Sequence, residues 1–250
     1  MRVALGMTMV AVVAGGAVQA MAEPGLANQV YSPYVKKGVT ELEFRGGRLN
    51  GGALDGESAG IAELERGISD RASLAVVAEF EHHAGGETKL DALGLEGKLY
   101  LGQIPGLGID VGGYVEYEQR LNNESGVAEV KLLLAKQAGP FEGVMNLIAR
   151  RPLTDKPGED LATFGYAAQL TRGAGHGTRL GLQAFGDLGN EQKLGGRQSH
   201  YLGPMIRWEG RLGGGPSELE LEVAYLLPLG AARRETDGQV RMSLAWERKF

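Results

Sequence analysis

From residue 39 onward the chain breaks into twelve segments of about ten residues in which apolar and polar side chains alternate, each bounded by a cluster of Gly, Asn, Asp or Pro. They run over 39–48, 58–68, 72–82, 89–101, 109–120, 127–136, 141–150, 161–171, 178–187, 199–209, 218–227 and 239–250. A period of two puts successive side chains on opposite faces, so each segment reads as a strand with one greasy and one polar face. In the third, Leu74, Val76, Ala78 and Phe80 oppose Ser73, Glu79 and Glu81. In the eleventh, Leu219, Leu221, Val223 and Tyr225 oppose Glu218, Glu220 and Glu222. The second and tenth are less regular: Ile61 shares the parity of Glu63, and Pro204 interrupts the tenth. A proline inside a strand demands an edge, a bulge or an unpaired position.

The segment ahead of these strands has a different character. "MRVALGMTMVAVVAGGAVQAMAEPG" carries a positive Arg2, an apolar run over 3–18 and a small-residue site ending Ala20, Met21, Ala22. That order predicts a secretory signal peptide over 1–22, then an N-terminal segment over 23–38 read as a periplasmic tail in preference to a lumen plug, and a barrel over 39–250. The chain has no cysteine, so neither lipid attachment at the cleavage site nor a disulfide is expected. Beyond the leader no stretch approaches the roughly 18 consecutive apolar residues of a membrane helix. Any membrane crossing must therefore be made by strands. With 43% apolar and 23% charged residues the chain is too apolar for disorder, and its 41 glycines suit bent, closely packed sheet better than long helices.

The connections show a second regularity. The first, third, fifth, seventh, ninth and eleventh are polar: "NGGALDGES", "HHAGGET", "LNNESG", "RPLTDKPGED", "LGNEQKLGGRQ" and "PLGAARRETDG". The even ones, such as "SDR", "QAGP" and "RGAGHG", tend to be shorter. Outer-membrane barrels have an even strand number, short periplasmic turns and longer external loops. Lipid offers no hydrogen-bond partner, so strands there must close on themselves. The expected fold is an all-β, closed, antiparallel, up-and-down transmembrane β-barrel of about twelve strands with both termini periplasmic. A soluble sandwich or lipocalin-like barrel would show the same alternation with its greasy faces turned inward. The leader and the final strand favour the membrane form.

That final strand, "VRMSLAWERKF", resembles the terminal strand of Gram-negative outer-membrane β-barrel proteins, in which a last aromatic and alternate apolar residues are read by the barrel-assembly machinery. Met242, Leu244, Trp246 and Phe250 match the pattern, while Arg248 departs from it. "QVYSPYVKKGVTELEFRGG", "GPFEGVMNLIARR", "LGLQAFGDLG" and "HYLGPMIRWEG" are similar to stretches in poorly characterised proteobacterial transporter barrels. The resemblance implies an outer-membrane location in a Gram-negative bacterium, with outer-membrane lipid and the assembly machinery as partners.

With the apolar parity facing lipid, the opposite parity lines the lumen. It carries Glu41, Glu43, Arg45, Glu79, Glu81, Glu96, Lys98, Glu116, Glu118, Glu129, Lys131, Arg150, Arg179, Arg207, Glu220, Glu222 and Arg241. Closure should set the first strand beside the last and bring Glu41 and Glu43 near Arg241. Such a wall suits a narrow channel for small solutes, in which rows of charge set ion preference. The alternatives are a structural or binding barrel without conductance and an outer-membrane lipid hydrolase. The hydrolase needs a serine and histidine on one face, yet the adjacent pair Ser199 and His200 alternates across the strand. No catalytic residue, metal site or cofactor is therefore assigned. A net charge of −5 and a pI near 5.5 argue against nucleic acid as a partner.

Overall fold

A computed structural model describes residues 25–121, 125–156, 160–195, 198–211 and 217–250, so the expected signal peptide, 1–22, lies outside the described residues. Twelve long strands form the wall: β1 (Val39–Asn50), β2 (Ser58–Gly67), β3 (Ala72–His82), β4 (Thr88–Ile104), β5 (Ile109–Arg120), β6 (Val127–Ala138), β7 (Phe141–Pro152), β8 (Thr163–Gly175), β9 (Thr178–Asn190), β11 (Ser199–Arg211), β12 (Ser217–Gly230) and β13 (Gly238–Lys249). A two-residue strand, β10 (Lys193–Leu194), folds back onto the end of β9 and adds no wall. Each wall strand pairs antiparallel with its sequence neighbours, and β1 pairs with β13 from Val39↔Lys249 to Asn50↔Gly238. The sheet is closed, and its wall has no free edge.

Several strands outrun the alternating segments. The fourth segment ends at 101, whereas β4 continues to Ile104. Backbone pairing persists beyond the apolar belt into water, where polarity no longer marks the strand. Two turns are as tight as a hairpin allows: 139–140, and 176–177, where His176 (φ 51°) and Gly177 (φ 74°) both take the left-handed conformation that a type I′ turn requires. Pro204 resolves as a position paired on one side only, with Leu182 of β9. The β11–β12 register passes from Leu202↔Leu227 to Met205↔Ala224 with residues 203–204 unpaired on that side, so the ladder is interrupted at the proline and resumes without a register shift.

The outer face is a continuous apolar surface that includes Phe44, Leu74, Leu95, Val115, Val130, Leu170, Leu182, Ile206, Leu221 and Met242, all exposed. A patch that encircles the molecule far exceeds what a protein in water tolerates, and it fits a lipid belt. Leu95, near the middle of β4, is 62% exposed. Leu95→Arg at that depth is expected to cost about 2–4 kcal/mol, read as a lower guanidinium midpoint of the barrel refolded into lipid vesicles. An unchanged midpoint would mean that this face does not contact lipid. Met242, Leu244 and Trp246 share this outer parity, and the Arg248 guanidinium lies 5.0 Å from the Phe250 ring centroid. Arg248 is thereby accommodated at the rim by its aromatic neighbour.

The inner face holds more apolar side chains than alternation predicts. Phe185, Tyr201, Met205 and Leu226 point inward from β9, β11 and β12 and pack with Val30 of the N-terminal segment. Ile61 of β2 and Val77 of β3 pack with Ala27 of the same segment. The irregular parity of Ile61 therefore has a cause: it faces a partner inside the lumen.

Candidate functional site in the barrel lumen

Residues 25–38 form a strap that threads the lumen, which corrects the expectation of a tail outside the barrel. Its anchors are polar and specific. The Asn146 side chain of β7 accepts from the Tyr31 backbone N–H (2.7 Å) and donates to the Tyr31 carbonyl (2.8 Å), imitating one rung of a strand ladder. Arg45 Nε donates to the Ala27 carbonyl (3.0 Å), and Arg45 Nη2 donates to the Tyr31 hydroxyl (2.8 Å). Tyr34 donates to Asp110 (2.8 Å), and Lys36 Nζ reaches Glu247 (2.6 Å). The Tyr31 ring lies 4.8 Å from that of Tyr114, and the Lys131 ammonium caps both at 4.2 and 4.1 Å. Close approach to the wall is possible because the facing positions are glycine. A Cβ on Gly47 would overlap the Leu26 carbonyl oxygen, and one on Gly67 the Lys36 carbonyl oxygen.

All seventeen residues assigned to the lumen by parity stand on the inner register of their strands. Closure does set β1 beside β13, but the register pairs Glu41 with Glu247 and Arg241 with Gly47. Arg241 therefore lies well above Glu41; it donates to the Gly25 carbonyl (3.3 Å) and sits 4.1 Å from the Phe185 ring centroid. The expected approach of Glu41 and Glu43 to Arg241 is overturned by strand register, which sequence does not reveal.

Read across the ladders, the charges fall into rows. Glu218, Glu247, Glu41 and Glu65 are successive register partners on β12, β13, β1 and β2. The row continues through Ala75 to Glu96, Glu116 and Glu129, and reaches Arg150 on β7. The row above it runs Glu209, Glu220, Ala245, Glu43, Glu63 from β11 to β2, and meets Glu118 on β5. Because barrel strands tilt, this double acidic band winds from the start of β12 at one end of the wall to the end of β7 at the other. Like charges directly opposite on a sheet repel, and neighbouring rows supply the counter-charge. Arg179, Arg207 and Arg45 lie in the row above, and Lys98 and Lys131 in the row below.

These cations make close pairs. Arg45 contacts Glu43 (3.1 Å), Glu63 and Glu96 (3.9 Å), with every partner almost wholly buried. Lys98 pairs with Glu65 (3.0 Å), Lys131 with Glu129 (2.9 Å), Arg150 with Glu118 (2.6 Å), and Arg207 with Glu142 (2.9 Å). Glu79, Glu116 and Glu118 bring one carboxylate oxygen each within 4.8 Å of one another, but Arg150 already occupies Glu118 and Tyr114 donates to Glu116 (2.9 Å).

Beside the strap, at the end where it enters, lies a cavity of about 250 Å³. Nine glutamates and three cations line it, together with Gln29, Ser32 and Gln169. Sequence reasoning passed over Glu63, Glu65 and Glu209, although the first two share the inner parity of Glu41 and Glu43; the inward Ile61 obscured the pattern on β2. Ser199 is buried against the lumen side while His200 stacks on Tyr166 on the other face, so no serine–histidine pair forms there.

No protein family and no curated protein matches the sequence. Solved structures do match in fold. The KdgM porin aligns over 84% of this chain and 99% of its own, with a TM-score of 0.53 and 7% identity. An outer membrane channel from Pseudomonas putida F1 aligns over 86% of this chain and 97% of its own, with a TM-score of 0.57 and 13% identity. The fold is that of outer-membrane porins and channels. A further structure of the KdgM porin, in complex with disordered oligogalacturonate, matches with a TM-score of 0.54 and 7% identity over 84% of this chain and 99% of its own.

Proposed function

We propose that this chain is a channel of the Gram-negative outer membrane for small polar solutes, with a bore set by the strap. The observation that carries the reading is the combination of a lipid-suited outer wall with a lumen in which charged rows and a polar cavity flank the strap. A purely structural barrel of this size gains more from a lumen filled by apolar side chains than from buried ion pairs, which contribute weakly to stability. The porin and channel neighbours support the same reading. The oligogalacturonate held by one of them is an anionic sugar acid, of the same sign as the acidic band here and repelled by it, so that ligand is not carried over.

In this reading the long connections face outward, both ends of the wall are periplasmic, and the Phe250 strand is the part engaged by the assembly machinery. A cysteine introduced at Asp155 is expected to react with an impermeant maleimide on intact cells, and one at Leu107 only after lysis. The reverse labelling would invert the orientation. The channel itself is tested in planar bilayers: the purified full chain is expected to give discrete current steps, and a flat baseline would leave a binding or structural barrel instead.

A further inference from the structure

We propose that the cavity beside the strap binds small organic cations with two ammonium groups, of which linear diamines are the representatives. The inference deepens the channel reading and rests on it for the route by which the ligand arrives. Three of the lining carboxylates, Glu41, Glu209 and Glu220, have no ion pair among the described residues, while Lys36, Lys98 and Arg207 are taken up by Glu247, Glu65 and Glu142. The cavity therefore holds carboxyl groups with no cation of their own where solvent is restricted, and a bound ammonium would hold them ionised. A second observation points independently to a ligand. Gln169 of β8 lines the cavity, is only 6% exposed, and has no hydrogen-bond partner among the described residues. A polar side chain buried to that degree ordinarily finds a partner; Gln29 Oε1 of the strap and Arg207 Nε of β11, which border the same cavity, are likewise buried with no hydrogen-bond partner among the described residues.

Spacing selects the class of cation. Glu41 on β1 and Glu220 on β12 are separated by β13, two strand spacings or about 10 Å of wall, and they lie in different register rows. A metal ion needs its oxygens within roughly 2.3–2.6 Å of itself, which carboxylates so far apart cannot provide. The only group of three carboxylates close enough among the described residues is Glu79, Glu116 and Glu118, and none of them lines this cavity. A linear diamine spans the gap with one ammonium at each end. The strap shows the chemistry in place: its own primary ammonium, Lys36 Nζ, sits 2.6 Å from Glu247 and 3.8 Å from Glu218 in the same acidic band.

The test is calorimetric titration of the full chain in detergent micelles at low ionic strength with 1,4-diaminobutane, butylamine and MgCl2. Diaminobutane is expected to bind saturably and on the order of tenfold more tightly than butylamine, the ratio expected for one further charge-assisted hydrogen bond. The double variant Glu41→Gln, Glu220→Gln should weaken diaminobutane by at least that factor and leave butylamine less affected. Gln169→Leu, which alters no charge, should weaken it by a smaller factor. Folding of each variant is checked by the mobility shift between unheated and heated samples on a gel. Absence of saturable binding, equal binding of the two amines, or Mg2+ competing at equal concentration would overturn the assignment. Diamine binding by a barrel that shows no conductance would support the site and sink the channel reading, so the two failures are distinguishable.

Discussion

Freeing the strap is expected to raise single-channel conductance several-fold. Residues 25–38 occupy the axis of the barrel but contribute no strand to its wall, so every hydrogen bond that closes the sheet survives their loss. Deleting 25–36 removes Ala27, which packs on Ile61 and Val77 of β2 and β3, and Tyr31, Pro33 and Tyr34, which rest on Asn146 of β7 and on Asp110 and Gly112 of β5. A twelve-stranded wall lies between the eight-stranded barrels that side chains fill and the porins of about 16 strands that hold open water, so the strap decides the bore. A second variant reaches the same end without shortening the chain. Gly47→Val with Gly67→Val places side chains where the Leu26 and Lys36 carbonyls now rest, and leaves every existing wall side chain in place. Both variants should conduct more than the parent in planar bilayers and keep the gel mobility of a folded barrel. Parent-like conductance in both would show that the strap is not the constriction.

Replacing Arg45 should produce the largest stability loss of any lumen substitution. Its guanidinium is 5% exposed and serves Glu43, Glu63, Glu96, the Tyr31 hydroxyl and the Ala27 carbonyl together. Removing one partner from a buried ionic group leaves the others charged and unpaired, which costs about 3–5 kcal/mol. Arg45→Met keeps the length of the side chain and removes the charge, so the loss measures uncompensated carboxylates rather than a cavity. The readout is the guanidinium unfolding midpoint in lipid vesicles. Adding Glu63→Gln to Arg45→Met should recover part of the loss, because it removes one of the stranded charges. A change below about 1 kcal/mol in the single variant would place it in the range of an exposed pair and refute the network.

The wall was legible because the bilayer and the pleat impose a period of two on every strand, and Glu79 and Glu81 against Leu74 and Val76 display it directly. The same parity placed Glu116, Glu118 and Arg207 on the inner register. Irregularities proved informative in retrospect. Ile61 broke the pattern because Ala27 of the strap lies against it, and the glycines at 47 and 67 fall on inner positions because strap carbonyls press there. The strap itself was not legible. "PGLANQVYSPYVKKG" has no alternation, and its order in the lumen depends on groups as distant in sequence as Asn146.

The sequence by itself determined strand number and closure, and the face taken by side chains on the regular strands, since these follow from local alternation and from the rule that lipid satisfies no backbone group. Tertiary structure alone decided which charges meet. Register between strands converts glutamates scattered over β1, β2, β4, β5, β6, β12 and β13 into one winding band, and moves Arg241 away from Glu41 to Gly47. A shift of two residues in one ladder would keep every side chain on its face and still break that band, because parity is a property of a single strand and adjacency is a property of the pair.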